Sequence, residues 1–215
     1  MTERRRSSAR RLAVAGVVAG LAAVAVLGAI SLVAAGPEPP AMALGQAALL
    51  VGVAGPFLLA AVALDVPRDD VRAGVWLGAG SVTAIVSVLG AISLVSLLLL
   101  PGAALLLAAG VRAAAGGAHS SGLVTLVALG VAAVAAGSGM AWGTMSEAAC
   151  WYRAGEVWVQ RPFSNRISIE DPLTMGVCGS GPTPPGVAVS MGVWVVAATA
   201  LVAARAWRSG APRPA

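Results

Sequence analysis

Between Ala73 and Val111 the chain carries no charged residue over about 39 positions. As a single α-helix rising 1.5 Å per residue, that stretch would be roughly 58 Å long, nearly twice the ~30 Å hydrocarbon thickness of a bilayer. It therefore predicts two membrane crossings joined by an apolar turn. The turn is placed near residues 93–98, with Pro101-Gly102 in the first turn of the returning helix, where a missing N–H costs nothing.

The same reading extends over the whole chain. Of 215 residues, 58% are hydrophobic and 11% charged, with a mean hydropathy of +0.87. Soluble domains are closer to a quarter charged. Further apolar runs span Leu12 to Ala35, Ala41 to Leu64, Leu123 to Trp142 and Val187 to Ala204. The predicted fold is an all-α polytopic membrane protein, a six-helix transmembrane bundle of three hairpins. It has a basic flank over 1–11, five spans within 12–142, an extracytoplasmic cap over 143–186, a sixth span over 187–204 and a basic tail over 205–215. Pro56 falls inside the second span, where a kink is tolerated. The first span also fits a secretory signal peptide, although its apolar run exceeds the usual length of one.

Charge sets the orientation. All 14 basic residues are arginine, and the abundant Ala, Gly and Pro suggest GC-rich bacterial coding. Eleven of the arginines lie in the termini or short loops that the six-span reading puts on one side. Arginine-rich short segments stay in the cytoplasm, so both termini are expected inside the cell, in the cytoplasmic (inner) membrane. The net charge of +5 and pI near 10.9 are explained by this bias; no nucleic-acid partner is expected. Reading 73–111 as one span would instead export Arg112 and the basic tail.

The two cysteines, Cys150 and Cys178, both lie in the one long polar stretch. On the oxidising side of the membrane a cysteine pair is expected to form a disulfide. A spacing far from Cys-x-x-Cys argues against redox work. Between them, Glu156–Gln160 and Arg166–Glu170 alternate in character around Pro162–Asn165, the pattern of a β-hairpin. Trp142, Trp151, Tyr152 and Trp158 cluster here too, a composition that fits an interfacial aromatic belt or a cap core as well as a contact surface. Trp151, Tyr152, Arg153, Trp158 and Arg161 are the candidate contact surface, since Trp, Tyr and Arg favour interface hot spots.

The spans themselves argue by what they lack. None contains Asp, Glu, Lys, Arg or His, the usual mark of ion-coupled transport. Gln46 is their most polar residue and the candidate intramembrane site. Thr83, Ser87, Thr125 and Ser138 are expected to satisfy backbone or interhelical hydrogen bonds. Gly137-Ser138-Gly139 would suit a serine nucleophile only with a histidine nearby, and the sole histidine, His119, lies in a loop. Gly16-x-x-x-Gly20 and Gly74-x-x-x-Gly78 predict close helix packing, within the bundle or between protomers. The octapeptide Val26–Val33 recurs identically as Val88–Val95, which suggests a duplicated helical hairpin.

No enzyme, cofactor or metal ligand set is expected. The favoured function is that of an accessory, assembly or scaffold subunit embedded in the lipid bilayer. Its cap would contact another membrane or extracytoplasmic protein, a lipid, or a second copy in a homo-oligomer. The alternative is a channel or uncoupled permease for a small or apolar solute, or a lipid-handling protein.

Overall fold

The computed structural model describes residues 3–34, 40–89, 94–115, 121–154, 157–162, 176–182 and 184–209. Among these residues lie six α-helices, a 3-10 turn and three short strands. In order they are α1 (Glu3–Ala34), α2 (Pro40–Ala63), α3 (Asp69–Leu89), the 3-10 turn Leu94–Leu99, α4 (Leu100–Ala115) and α5 (Ser121–Thr144). Strands β1 (Ser146–Ala154), β2 (Val157–Pro162) and β3 (Gly176–Pro182) follow, and then α6 (Pro184–Ser209). Five of the helices are long and apolar enough to cross a membrane, so this is a multi-pass membrane protein. The described apolar part of α2, Leu49–Ala63, is shorter. The helices are apolar nearly all round, as lipid on one side and protein on the other require.

The uncharged run divides as its length demands. Its two halves are α3 and α4, with the 3-10 turn between them and Pro101 as the second residue of α4. The helices are longer than the apolar runs alone suggest. α1 starts at Glu3 rather than Leu12, because arginine is a good helix former and the basic flank is added to the first span. α6 starts at Pro184, with prolines in its first turn. Within the repeated octapeptide Leu32 is α-helical, whereas its counterpart Leu94 opens the 3-10 turn.

Packing forms two rings that share α2 and α3. The first runs α1–α2–α3–α4 and back to α1; the second runs α2–α3–α5–α6. Half of the α3 span is buried, against 17% of the α5 and α6 spans, so α3 is the central helix. The glycine pairs account for the closest approaches. Gly20 of α1 receives the ring of Phe57 from α2, and Gly102 of α4 lies against the Gly20 backbone. Gly74 and Gly78 of α3 seat Val127 and Val131 of α5. Both small-x-x-x-small patterns thus pack helices inside the bundle. Trp76, 1% exposed, ties α3 to α2 by donating its indole N–H to the carbonyl of Ala60 at 3.2 Å.

Ionic contacts gather at one end of the bundle. Arg112, at the end of α4, donates to Ser8 Oγ at 2.8 Å. Arg68 grips Asp70 through two hydrogen bonds of 2.9 and 2.6 Å. Arg72 pairs with Asp69, and Arg10 approaches Asp65 at 4.0 Å. Asp69 and Asp70 occupy the first turn of α3, where negative charge suits the helix dipole. The start of α1, the α2–α3 connection and the end of α4 therefore share this basic end.

The opposite end carries the sheet. Its strand order is β2–β1–β3, with both pairs antiparallel. A single residue separates the end of α5 from the start of β1, and another separates the end of β3 from the start of α6. The β1–β3 pair therefore continues the α5–α6 helix pair. Where these elements meet, a Cβ on Gly186 would lie 2.8 Å from Met145 Cβ and 3.3 Å from the carbonyl oxygen of Ala141. β2 pairs with β1, a strand the polar pattern did not reveal; the expected second strand, Arg166–Glu170, lies outside the described residues. The register sets Cys150, which is buried, directly opposite Cys178.

Candidate functional site

The register divides the candidate contact residues between two faces. Cys150 pairs with Arg161 and Cys178, and Tyr152 pairs with Val159, so Tyr152 and Arg161 share the cysteine face. Arg153 pairs with Trp158, and Trp151 pairs with Gln160, on the other face. Successive residues of a strand occupy positions on alternate sides of the sheet. As side chains these five lie outside the described residues, as does that of Gln46.

A second candidate lies in the sheet-side half of the second ring. There α2, α3, α5 and α6 enclose a partly open cavity of about 240 Å³. From α2 come Leu49, Gly52, Val53 and Pro56, one face of the helix by their spacing. Gln46 falls one turn further out on that same face. Pro56 has no N–H to give the carbonyl of Gly52, so the helical bond is missing where the cavity begins. Val82, Thr83 and Val86 of α3 form the neighbouring wall.

The α5 and α6 walls hold the polar groups. Trp194 donates its indole N–H to Ser138 Oγ at 3.1 Å, and the hydroxyls of Ser138 and Ser190 lie 2.5 Å apart. All three residues are at most 9% exposed. Their mutual bonding lets them face hydrocarbon without an unpaired polar atom, which membrane burial demands. The Thr83 hydroxyl is likewise spent on the carbonyl of Ala79, at 2.8 Å. The six-membered face of the Trp194 indole fills the notch at Gly55 and closes the floor. Trp142 lines the cavity half-buried, rather than serving only as an interfacial anchor or a cap core residue.

No family model, curated protein or solved structure matches this chain.

The cavity exists because of residue size. In the basic-side half of the second ring, Gly74 and Gly78 draw α5 tight against α3. In the sheet-side half, Gly52 and Gly139 have nothing within 4 Å of where a Cβ would stand. The same residue type therefore closes one half and leaves the other open. Among the described residues no group of three His, Cys, Asp or Glu gathers to hold a metal. Ser138, reached by sequence reasoning, sits in this cavity; Ser190 and Trp194 were missed. A serine and a tryptophan four residues apart on α6 were the available signal, because that spacing puts them on one helix face.

Proposed function

We propose that this protein is a non-enzymatic six-span subunit of the bacterial cytoplasmic membrane, with its sheet as a contact surface for another membrane or extracytoplasmic protein. The observation that carries the reading is the fusion of the sheet to the bundle through single-residue joints at Met145 and residue 183. A surface held this way is preorganised, and preorganisation lowers the entropy lost on binding. A Cys150–Cys178 disulfide would brace it. Directly opposed residues of antiparallel strands have Cα atoms about 4.5–5.5 Å apart, inside the range that a disulfide spans. In support, no cysteine is free among the described residues.

The basic end is cytoplasmic in this reading, because it gathers Arg10, Arg68, Arg72 and Arg112. α2, at 24 residues, is long enough to be the sixth span. Reporter fusions at Arg112 and Ala215 are expected to report cytoplasm; an extracytoplasmic signal at Ala215 would overturn the topology.

Mild-detergent co-purification tests the contact surface. The face opposite the cysteines carries Trp151, Arg153 and Trp158, so Trp158→Ala is expected to lose a stoichiometric partner while expression and thermal melting stay near wild type. Hot-spot truncations of this kind cost 2 kcal/mol or more, roughly thirtyfold in affinity. Arg161→Ala, on the cysteine face, is expected to lose less. Misfolding of Trp158→Ala would assign the ring to the cap core. Retained partners in both variants would remove the sheet from the contact.

A further inference from the structure

We propose that the cavity between α2, α3, α5 and α6 is a binding site for one acyl chain of a bilayer phospholipid. This goes beyond the sheet as a contact surface and stands on different residues. Four observations bear on the occupant.

The first is chemistry. The walls are mostly aliphatic or aromatic, and the hydroxyls of Thr83, Ser138 and Ser190 and the Trp194 N–H are engaged with the protein. A lining this poor in polar atoms free to bond favours an apolar occupant over water.

The second is size. Apolar cavities of about 150 Å³ stay dry and accept benzene. The volume here is about 240 Å³. That exceeds a benzene-sized void and falls far short of a whole lipid, so it admits a segment of a hydrocarbon chain.

The third is access. Leu49 of α2 and Val86 of α3 line the cavity yet are 52% and 48% exposed. Gly139 of α5 lines it and is exposed as well, so the opening lies at the surface of the sheet-side half of the bundle. What stands outside such an opening is the hydrocarbon of the surrounding leaflet. The remainder of a chain entering there stays in the bilayer.

The fourth is the source of affinity. Moving a chain from lipid into protein gains no hydrophobic free energy, because lipid is as apolar as the cavity. The gain is dispersion: walls facing a void lack partner atoms, and a flexible chain restores them. The occupant must therefore be abundant and conformable, as ambient lipid is. Its chain would bridge α2–α3 to α5–α6, the pair that carries the sheet.

The test uses the full-length protein purified in mild detergent, with bound phospholipid counted by native mass spectrometry. Wild type is expected to retain one phospholipid per chain. Gly52→Leu combined with Gly139→Leu fills the cavity where no atom obstructs a Cβ; it is expected to lose that lipid. Gly130→Leu is the control: its Cβ also meets nothing, on an exposed part of α5 outside the cavity, and it should keep the lipid. A second measurement needs no variant. Reconstituted into phosphatidylcholine vesicles carrying a diazirine on one acyl chain, wild type should give adducts concentrated at Leu49, Val53, Val82 and Val86. Equal lipid retention in all three proteins, or none in wild type, would overturn the proposal. So would adducts spread evenly over exposed residues such as Leu126, Val195 and Val196.

Discussion

Replacing Gly102 by leucine is expected to unseat α1 from α4 and to destabilise the bundle. A Cβ at position 102 would stand 2.9 Å from both the Cα and N of Gly20, and 3.0 Å from Phe57 Cε1. Two of those three atoms are backbone and have no rotamer to change. A whole leucine side chain must push α1 away, and with it the Phe57 ring, which is fully buried. Overpacking typically costs ~1–3 kcal/mol and more where the backbone must move. In a membrane that loss is not recovered by hydrophobic collapse, because packing itself is what holds helices together there. Thermal melting in detergent measures the effect. Gly130→Leu, with open space around it, should melt at or above wild type, since leucine is the better helix former by about 1 kcal/mol.

A second substitution separates the two sides of this contact. At Gly20 a Cβ would stand 2.1–2.4 Å from atoms of the Phe57 ring. Gly20→Ala is therefore expected to be rescued in part by Phe57→Leu, which withdraws the ring. Gly102→Leu is not, because its obstacle is the Gly20 backbone. Equal melting temperatures for Gly102→Leu and Gly130→Leu would contradict the α1–α4 contact itself.

The two rings explain why one chain holds both a tight and a loose region. In the first ring Gly16, Gly20 and Gly102 bring α1 and α4 together around Phe57, and ion pairs close the basic end. In the second ring Gly74 and Gly78 make the α3–α5 contact at the basic end, and Gly52 and Gly139 leave open space toward the sheet. The cavity and the sheet lie at the same end of this ring. A lipid chain in the cavity and a partner on the sheet would therefore act on the same two helices, α5 and α6.

Helix number and placement were legible because they depend on length and hydropathy alone. The uncharged run from Ala73 to Val111 cannot be one crossing, whatever its neighbours do. Helix rotation was not legible. Spans of Ala, Val, Leu and Gly are apolar on every face, so periodicity does not say which face meets protein. The cavity depends on that rotation in four helices at once, and it takes its polar groups from residues 52 positions apart, Ser138 and Ser190. β1 was hidden for a different reason. Its sequence, Ser-Glu-Ala-Ala-Cys-Trp-Tyr-Arg-Ala, does not alternate apolar with polar and holds alanines that favour helix. Partner strands make it a strand, and pairing between residues as distant as Ser146 and Pro182 cannot be read locally. The split of Trp151 and Tyr152 onto opposite faces followed only once β1 was known.

Breaking the proposed disulfide should open the sheet and leave the bundle folded. β3 is a weak strand by composition: Gly176, Gly179 and Gly181 are three of its seven residues. Glycine in a strand loses the most backbone freedom and offers no side chain to a neighbour. The pairs Ala148–Ser180 and Ala149–Gly179 bring little cross-strand contact area. The bond would close a ring of about 29 residues, which on the loop-entropy account contributes roughly 3–4 kcal/mol. Without that contribution to a glycine-rich pairing, Cys178→Ser is expected to free β3 from β1. The helix contacts at Gly20, Gly74, Gly78 and Gly102 do not involve the ring, and bundle melting should change little. Limited proteolysis is then expected to cut the cap of the variant, and of reduced wild type, while unreduced wild type resists. Mass mapping of an unreduced digest should recover the peptides of Cys150 and Cys178 joined, and partner co-purification should fall together with protease resistance. Two alkylatable thiols in freshly purified protein would refute the bond, and an unchanged digestion pattern in Cys178→Ser would show that the sheet stands without it.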